Sequence, residues 1–180
     1  MKNFITLLMF LLFATSLTLI CQNKVPRLSP KSFVGQTVGS TNITITYGSP
    51  GVKGRKIWGE LVPFNEVWRT GANEATTIEF DTDIIIDNKV IPSGKYSLFT
   101  IPNKNEWTVI FNKIYDQWGA YNYNAKEDFI RFKVVPKNNR YVERLSFRIE
   151  YIDSFKSKIY LEWDKIIISF EVRTEPLTRK

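Results

Sequence analysis

From Asn42 the chain alternates, with Ile43, Ile45 and Tyr47 set between Asn42, Thr44 and Thr46. A period of two sends successive side chains to opposite faces of a strand, so one face is predicted to be buried. Thr76, Ile78 and Phe80 repeat the pattern, as do Trp107, Val109 and Phe111, then Ile130, Phe132 and Val134. Leu145, Phe147, Ile149 and Tyr151 give its cleanest form. Ile159, Leu161 and Trp163 lead to a turn at Asp164-Lys165 and return through Ile166, Ile168, Phe170 and Val172. Asp87-Asn88 and Pro92-Ser93-Gly94 mark further turns, around Ile84, Ile86, Val90 and Ile91 and before the run Tyr96 to Ile101. Only Asn124 to Asp128 predicts a short helical turn, and no long helical period or internal repeat occurs. Many short strands with regular turns predict an all-β fold, an antiparallel β-sandwich of jelly-roll-like form, with a small β-barrel as the alternative.

The ends read differently. Lys2 precedes an apolar run from Phe4 to Ile20, the pattern of a secretory signal peptide over residues 1–21. The run falls short of the roughly 20 apolar residues of a spanning helix. Cleavage is expected near Cys21-Gln22. Cys21 raises a lipid anchor as a second reading, against which bulky Ile20 stands where a lipoprotein signal has a small residue. An uncleaved anchor is the third. All three place the domain outside the cytoplasm, periplasmic or secreted. Residues 22–40, polar with Pro26 and Pro30, read as a linker, 41–175 as a single domain and 176–180 as a tail.

Composition narrows the chemistry. The 180 residues contain no histidine and one cysteine. That excludes a disulfide framework, a thiolate or imidazole metal site, a Ser-His-Asp triad and any imidazole base. No cofactor is expected. The net charge of +7 is moderate, and the Lys and Arg of the strands alternate with Glu and Asp, so nucleic acid is not an expected partner. The membrane enters only through the leader or an anchor at Cys21.

Polar residues crowd most densely over Val67 to Thr77, where Trp68, Arg69, Gly71, Asn73 and Glu74 fall together. Arg69 and Glu74 support two readings. The planar guanidinium can hold a ligand carboxylate or phosphate, or the two groups can pair and brace the loop, with Asn73 satisfying loop carbonyls. Upstream, Lys53, Arg55 and Lys56 lie among Gly48, Gly51, Gly54 and Gly59, either an anion-binding nest or a solvated loop. Downstream, Trp107, Phe111, Tyr115, Trp118, Tyr121 and Tyr123 are interleaved with Asn112, Asp116, Gln117 and Asn122. Trp107 and Phe111 read as core. Trp118 and Tyr121 read equally as cover for a long connection or as faces for a sugar ring.

Several stretches carry a resemblance: Tyr47-Gly48-Ser49-Pro50, Trp58-Gly59-Glu60-Leu61-Val62-Pro63, Trp68 to Thr77, Pro92 to Phe99 and Trp118-Gly119-Ala120-Tyr121. On these the chain resembles the secreted family known as domain of unknown function 2911, over roughly Leu28 to Val172. The resemblance implies an extracytoplasmic β-rich domain and no particular reaction.

The expected function is therefore an extracytoplasmic module binding a small anionic or carbohydrate ligand. Its site would draw Lys53, Arg55, Trp68, Arg69, Asn73 and Glu74 from one side and Trp118 and Tyr121 from the other. The alternatives are a histidine-free hydrolase using Glu74 with Asp116, Glu60 or Glu66, and a structural or interaction domain that uses a sheet edge.

Overall fold

The computed structural model describes residues 25–175, so the expected leader with Cys21 and the expected tail lie outside the described residues. Ten strands run in chain order: β1 (Lys31–Val38), β2 (Thr41–Gly48), β3 (Thr77–Phe80), β4 (Ile84–Ile86), β5 (Lys89–Ile91), β6 (Gly94–Ile101), β7 (Trp107–Asn112), β8 (Asp128–Val134), β9 (Lys137–Asp153) and β10 (Lys156–Arg173). They form two antiparallel sheets, ordered β1-β2-β3-β6-β7-β8 and β5-β4-β10-β9. The sheets face each other as a sandwich and do not close into the alternative barrel. A 3-10 turn at Ala125–Glu127 stands where the helical turn was expected, capped by the Asn124 side chain accepting from the Lys126 N–H.

The period-two positions fill the core. Ile43, Ile45, Ile78 and Phe80 of the first sheet pack with Leu145, Ile159, Leu161 and Trp163 of the second in one cluster. Asp87 and Asn88 both take positive φ, 49° and 60°, the geometry that a two-residue hairpin turn of matching twist demands.

The linker expected over residues 22–40 gives way to a strand. β1 pairs with β2 along its whole length as the edge of the first sheet. Its side chains alternate between half-buried and exposed, and only Val38 is buried. No apolar face announces it.

β10 also has an unexpected shape. Eighteen extended residues would span about 60 Å, yet the Thr174 N–H donates to the Phe155 carbonyl at 2.9 Å, joining the residues that flank its two ends. The element therefore doubles back. Asp164, at φ 54°, sits at the turn read from Asp164-Lys165.

Residues 49–76, between β2 and β3, contain no strand of their own. Four tryptophans tie this long connection to the body. Trp58 and Trp68 come from it, Trp107 from β7 and Trp163 from β10. Trp58 meets Trp107 edge-on at 4.9 Å between ring centres, and Trp68 stacks on Trp163 at 5.9 Å.

Candidate functional site

The outer face of the first sheet divides into a covered half and an open half. Over β6 and β7, Phe99 and Ile110 turn outward and pack with Ala75, Val67, Ala120 and Tyr123 as a second, smaller core. The loops around residues 67–76 and 113–127 thus cover the sheet there. Asp128 fastens the second loop: it accepts from the Tyr123 hydroxyl at 2.6 Å, from Arg131 Nε at 2.6 Å and from Asn112 Nδ2 at 2.7 Å. Burial, followed by the hydrogen bond to Asp128, pushes the Tyr123 hydroxyl up to about 12.

Where the loops stop, the sheet lies open. Cross-strand register aligns Phe33 of β1 with Thr46 of β2, and Thr46 with Thr77 of β3. These side chains, with Thr44, floor a groove of about 540 Å³. Lys31 and Lys95 line it from the strands, and Glu74, Tyr115, Asp116 and Gln117 from the loops. Its charges balance, two lysines against two carboxylates. Phe33 and Tyr115 are 79% and 47% exposed, so both can offer a ring face. Gln117 is buried; its Nε2 donates to the Ile114 carbonyl at 2.7 Å, while its Oε1 has no partner.

The residues chosen from the sequence are only partly gathered. Of the eight residues chosen for the binding site Glu74 alone lines this groove, joined there by Asp116 of the hydrolase alternative. The Arg69–Glu74 pair of the bracing reading does not form. Glu74 instead accepts from Arg27 Nη1 at both carboxylate oxygens, at 2.8 and 2.9 Å, and Asn73 donates to the Ser29 carbonyl at 3.1 Å. Both partners come from the stretch expected to be a passive linker. Arg69 keeps an Nε that is buried without a partner. Asn73 and Glu74 meet the second loop through backbone contacts, Gly119 N–H to the Asn73 carbonyl at 3.0 Å and a bridge between Glu74 and Trp118. Arg69, Trp118 and Tyr121 are thus drawn around Gly119, beside whose α-carbon both Arg69 Nη1 and the Tyr121 ring lie. Trp118 and Tyr121 are exposed.

Lys53 and Arg55 lie elsewhere. Arg55 donates to the Gly51 and Val52 carbonyls of its own loop, at 2.6 and 3.1 Å, and the Lys53 N–H donates to Glu143 of β9 at 3.1 Å. The Arg55 guanidinium is therefore engaged in holding its loop. Trp68 is half-buried in the tryptophan cluster, its Nε1 donating to the Gly71 carbonyl at 3.2 Å. Lys31, Phe33, Thr44, Thr46, Thr77 and Lys95 were not chosen from the sequence. For Thr44 and Thr46 the one signal was the polar phase of the β2 alternation, and that phase says which face is wet without saying that the face is hollow.

Glu74 carries a pH signature. A hydrogen bond from its own backbone N–H, together with Arg27 and nearby Lys31, holds its carboxyl below the usual carboxylate value against the opposing effect of burial. A depressed folded-state pKa gives stability that is present above the unfolded value and lost as pH falls through the folded one. Glu74→Gln is therefore expected to lower stability by about 0.5–1 kcal/mol at pH 7, the scale of a half-exposed pair. The difference from wild type should shrink as pH falls below the usual carboxylate range and through the depressed folded-state value, as measured from urea midpoints at pH 7 and in acid. A gap that widens in acid would contradict this assignment.

Comparison with protein families places the chain. The family described as "Protein of unknown function (DUF2911)" matches residues 29–172, and the chain belongs to it. Comparison with curated proteins and with solved structures gives no match.

Proposed function

We propose that this protein is an extracytoplasmic, non-catalytic binding module whose ligand is a carbohydrate, seated in the groove over β1–β3. The observation that carries the reading is the makeup of that groove. It combines two accessible aromatic rings, three threonine hydroxyls and a balanced set of cations and carboxylates in one hollow. A sugar presents apolar C–H faces to rings and many hydroxyls to mixed donors and acceptors. A simple anion would gain little from a groove whose own carboxylates equal its lysines. The apolar run from Phe4 to Ile20 supports the location.

The test is binding to an immobilised panel of neutral and acidic oligosaccharides. Wild type is expected to retain at least one of them. Phe33→Ala combined with Tyr115→Ala should lower that affinity at least about tenfold, a loss of about 1.4 kcal/mol, with little change in melting temperature because both rings face water. Equal binding by the double variant, or no binding by wild type to any saccharide, would sink the reading.

One observation favours carboxylate-based hydrolysis as a second reading: Glu74 and Asp116 line the same groove. Against it, Arg27 grips Glu74 and favours its ionised form, which suits a base or nucleophile and not the acid that must protonate a leaving group. Release of new reducing ends in the same panel, lost in Asp116→Asn, would select this reading.

A further inference from the structure

A second groove, of about 620 Å³, opens between the edge of the first sheet at β8 and the returning arm of β10. It shares no lining residue with the groove over β1–β3. Five cations converge on it from separate parts of the chain: Lys133 on β8, Lys137 at the start of β9, Lys156 and Lys158 on the outgoing arm of β10, and Arg173 at the end of the return. The doubling back of β10 is what sets the last three side by side. Asp87 and Glu171 are the only carboxylates lining the groove.

Little of this positive charge is cancelled locally. Lys133 meets Glu106 at 3.0 Å, but both side chains are at least half exposed, so water and salt screen the pair. Lys156 reaches Asp153 only at 4.0 Å. Arg173 Nη2 donates to Asn88 Oδ1 at 2.9 Å, a neutral amide that orients the guanidinium and leaves its charge free to act outward. Lys137 and Lys158 form no ion pair among the described residues. Neither β4 nor β9 has a registered partner for residues 169–172, and Ser169, Phe170 and Glu171 line the groove there.

The aromatic lining is inaccessible to stacking: Phe132 and Phe170 are both buried, and the exposed apolar lining residue, Val135, carries no ring. A flat base or a sugar ring finds no aromatic face here, and the five cations dominate what the groove can recognise. Lysines act as mobile point charges, suited to a ligand with several negative groups of loose geometry. We propose that this groove binds a compact multivalent anion, bearing phosphate or carboxylate groups, independently of the carbohydrate groove.

Inorganic tripolyphosphate is the probe, titrated calorimetrically at low ionic strength. Wild type is expected to bind it, with affinity falling steeply as salt rises and shortens the screening length. Lys137→Glu combined with Lys158→Glu should weaken binding at least about tenfold while leaving the unliganded melting temperature within a few degrees. Lys113→Glu combined with Lys165→Glu makes the same charge change at exposed positions outside the groove and should keep the affinity within about twofold. An equal loss in both pairs would reduce the effect to net charge and overturn the proposal, as would the absence of binding by wild type. Vesicles rich in phosphatidylglycerol separate the sources of the anion. Sedimentation with vesicles that tripolyphosphate reverses agrees with a headgroup seated in the groove. Sedimentation that tripolyphosphate leaves unchanged would place the anion contact elsewhere and refute it.

Discussion

Trp107→Ala is expected to destabilise the domain by about 3–5 kcal/mol, the range for a fully buried aromatic truncated in a core that can only partly collapse. Trp107 is 2% exposed and contacts both Trp58 and Trp68 edge-on, at 4.9 and 6.5 Å between ring centres. Those two neighbours belong to the strandless connection over residues 49–76, so the loss reaches beyond the cavity itself. The aromatic couplings should also weaken, lowering the near-ultraviolet circular dichroism of the tryptophans. At about 2–4 °C per kcal/mol for a domain of this size, the melting temperature is expected to fall by about 10 °C. A loss near 1 kcal/mol with an unchanged tryptophan spectrum would mean that the four rings do not hold the connection in place.

Gly48→Ala is expected to cost about 3 kcal/mol for a different reason, overpacking against a backbone. An added β-carbon would lie 2.0 Å from the Ala72 carbonyl oxygen and 2.8 Å from its carbon. Ala72 also donates its N–H to the Gly48 carbonyl at 3.2 Å, so strand and loop touch directly. Ala72 precedes Asn73 and Glu74, and displacing it would shift the wall of the groove over β1–β3. Gly35→Ala is the matched control. Its β-carbon would meet only ordinary contacts at 3.6 Å, and stability should be unchanged or rise by about 0.4–1 kcal/mol through a less flexible unfolded chain. Urea denaturation of both variants decides the matter. A Gly48→Ala protein within about 0.5 kcal/mol of wild type would show that the contact yields easily.

Most strands were legible because a half-buried strand writes its face into the sequence. Ile43, Ile45 and Tyr47 are buried while Asn42 and Thr44 are exposed, so the alternation carries the phase. β1 was illegible for the complementary reason. An edge strand with one buried residue has no pattern to display, and Phe33, its most apolar side chain, points to solvent at 79% exposure. The density of polar residues marked out Val67 to Thr77, and Glu74 of that stretch lines a groove. Its partner was misread because Arg27 lies far away in sequence, whereas Arg69 is near at hand. Spacing along the chain favours the local pair, and only the fold brings Arg27 across. The basic groove was invisible for the same reason, since its cations share no motif and meet only once β10 has folded back.

β6 and β7 carry apolar groups to both sides of the sheet, with Leu98 and Val109 in the main core and Phe99 and Ile110 beneath the loops. From Tyr96 to Thr100 on β6 and throughout β7 there is therefore no wet side, and nothing can be attached there without entering an interior. Anyone immobilising the molecule or fitting it with a fluorophore should work from β1, whose outward positions Lys31 and Thr37 stand in solvent. Thr37 is the better of the two because Lys31 borders the groove that the ligand would need.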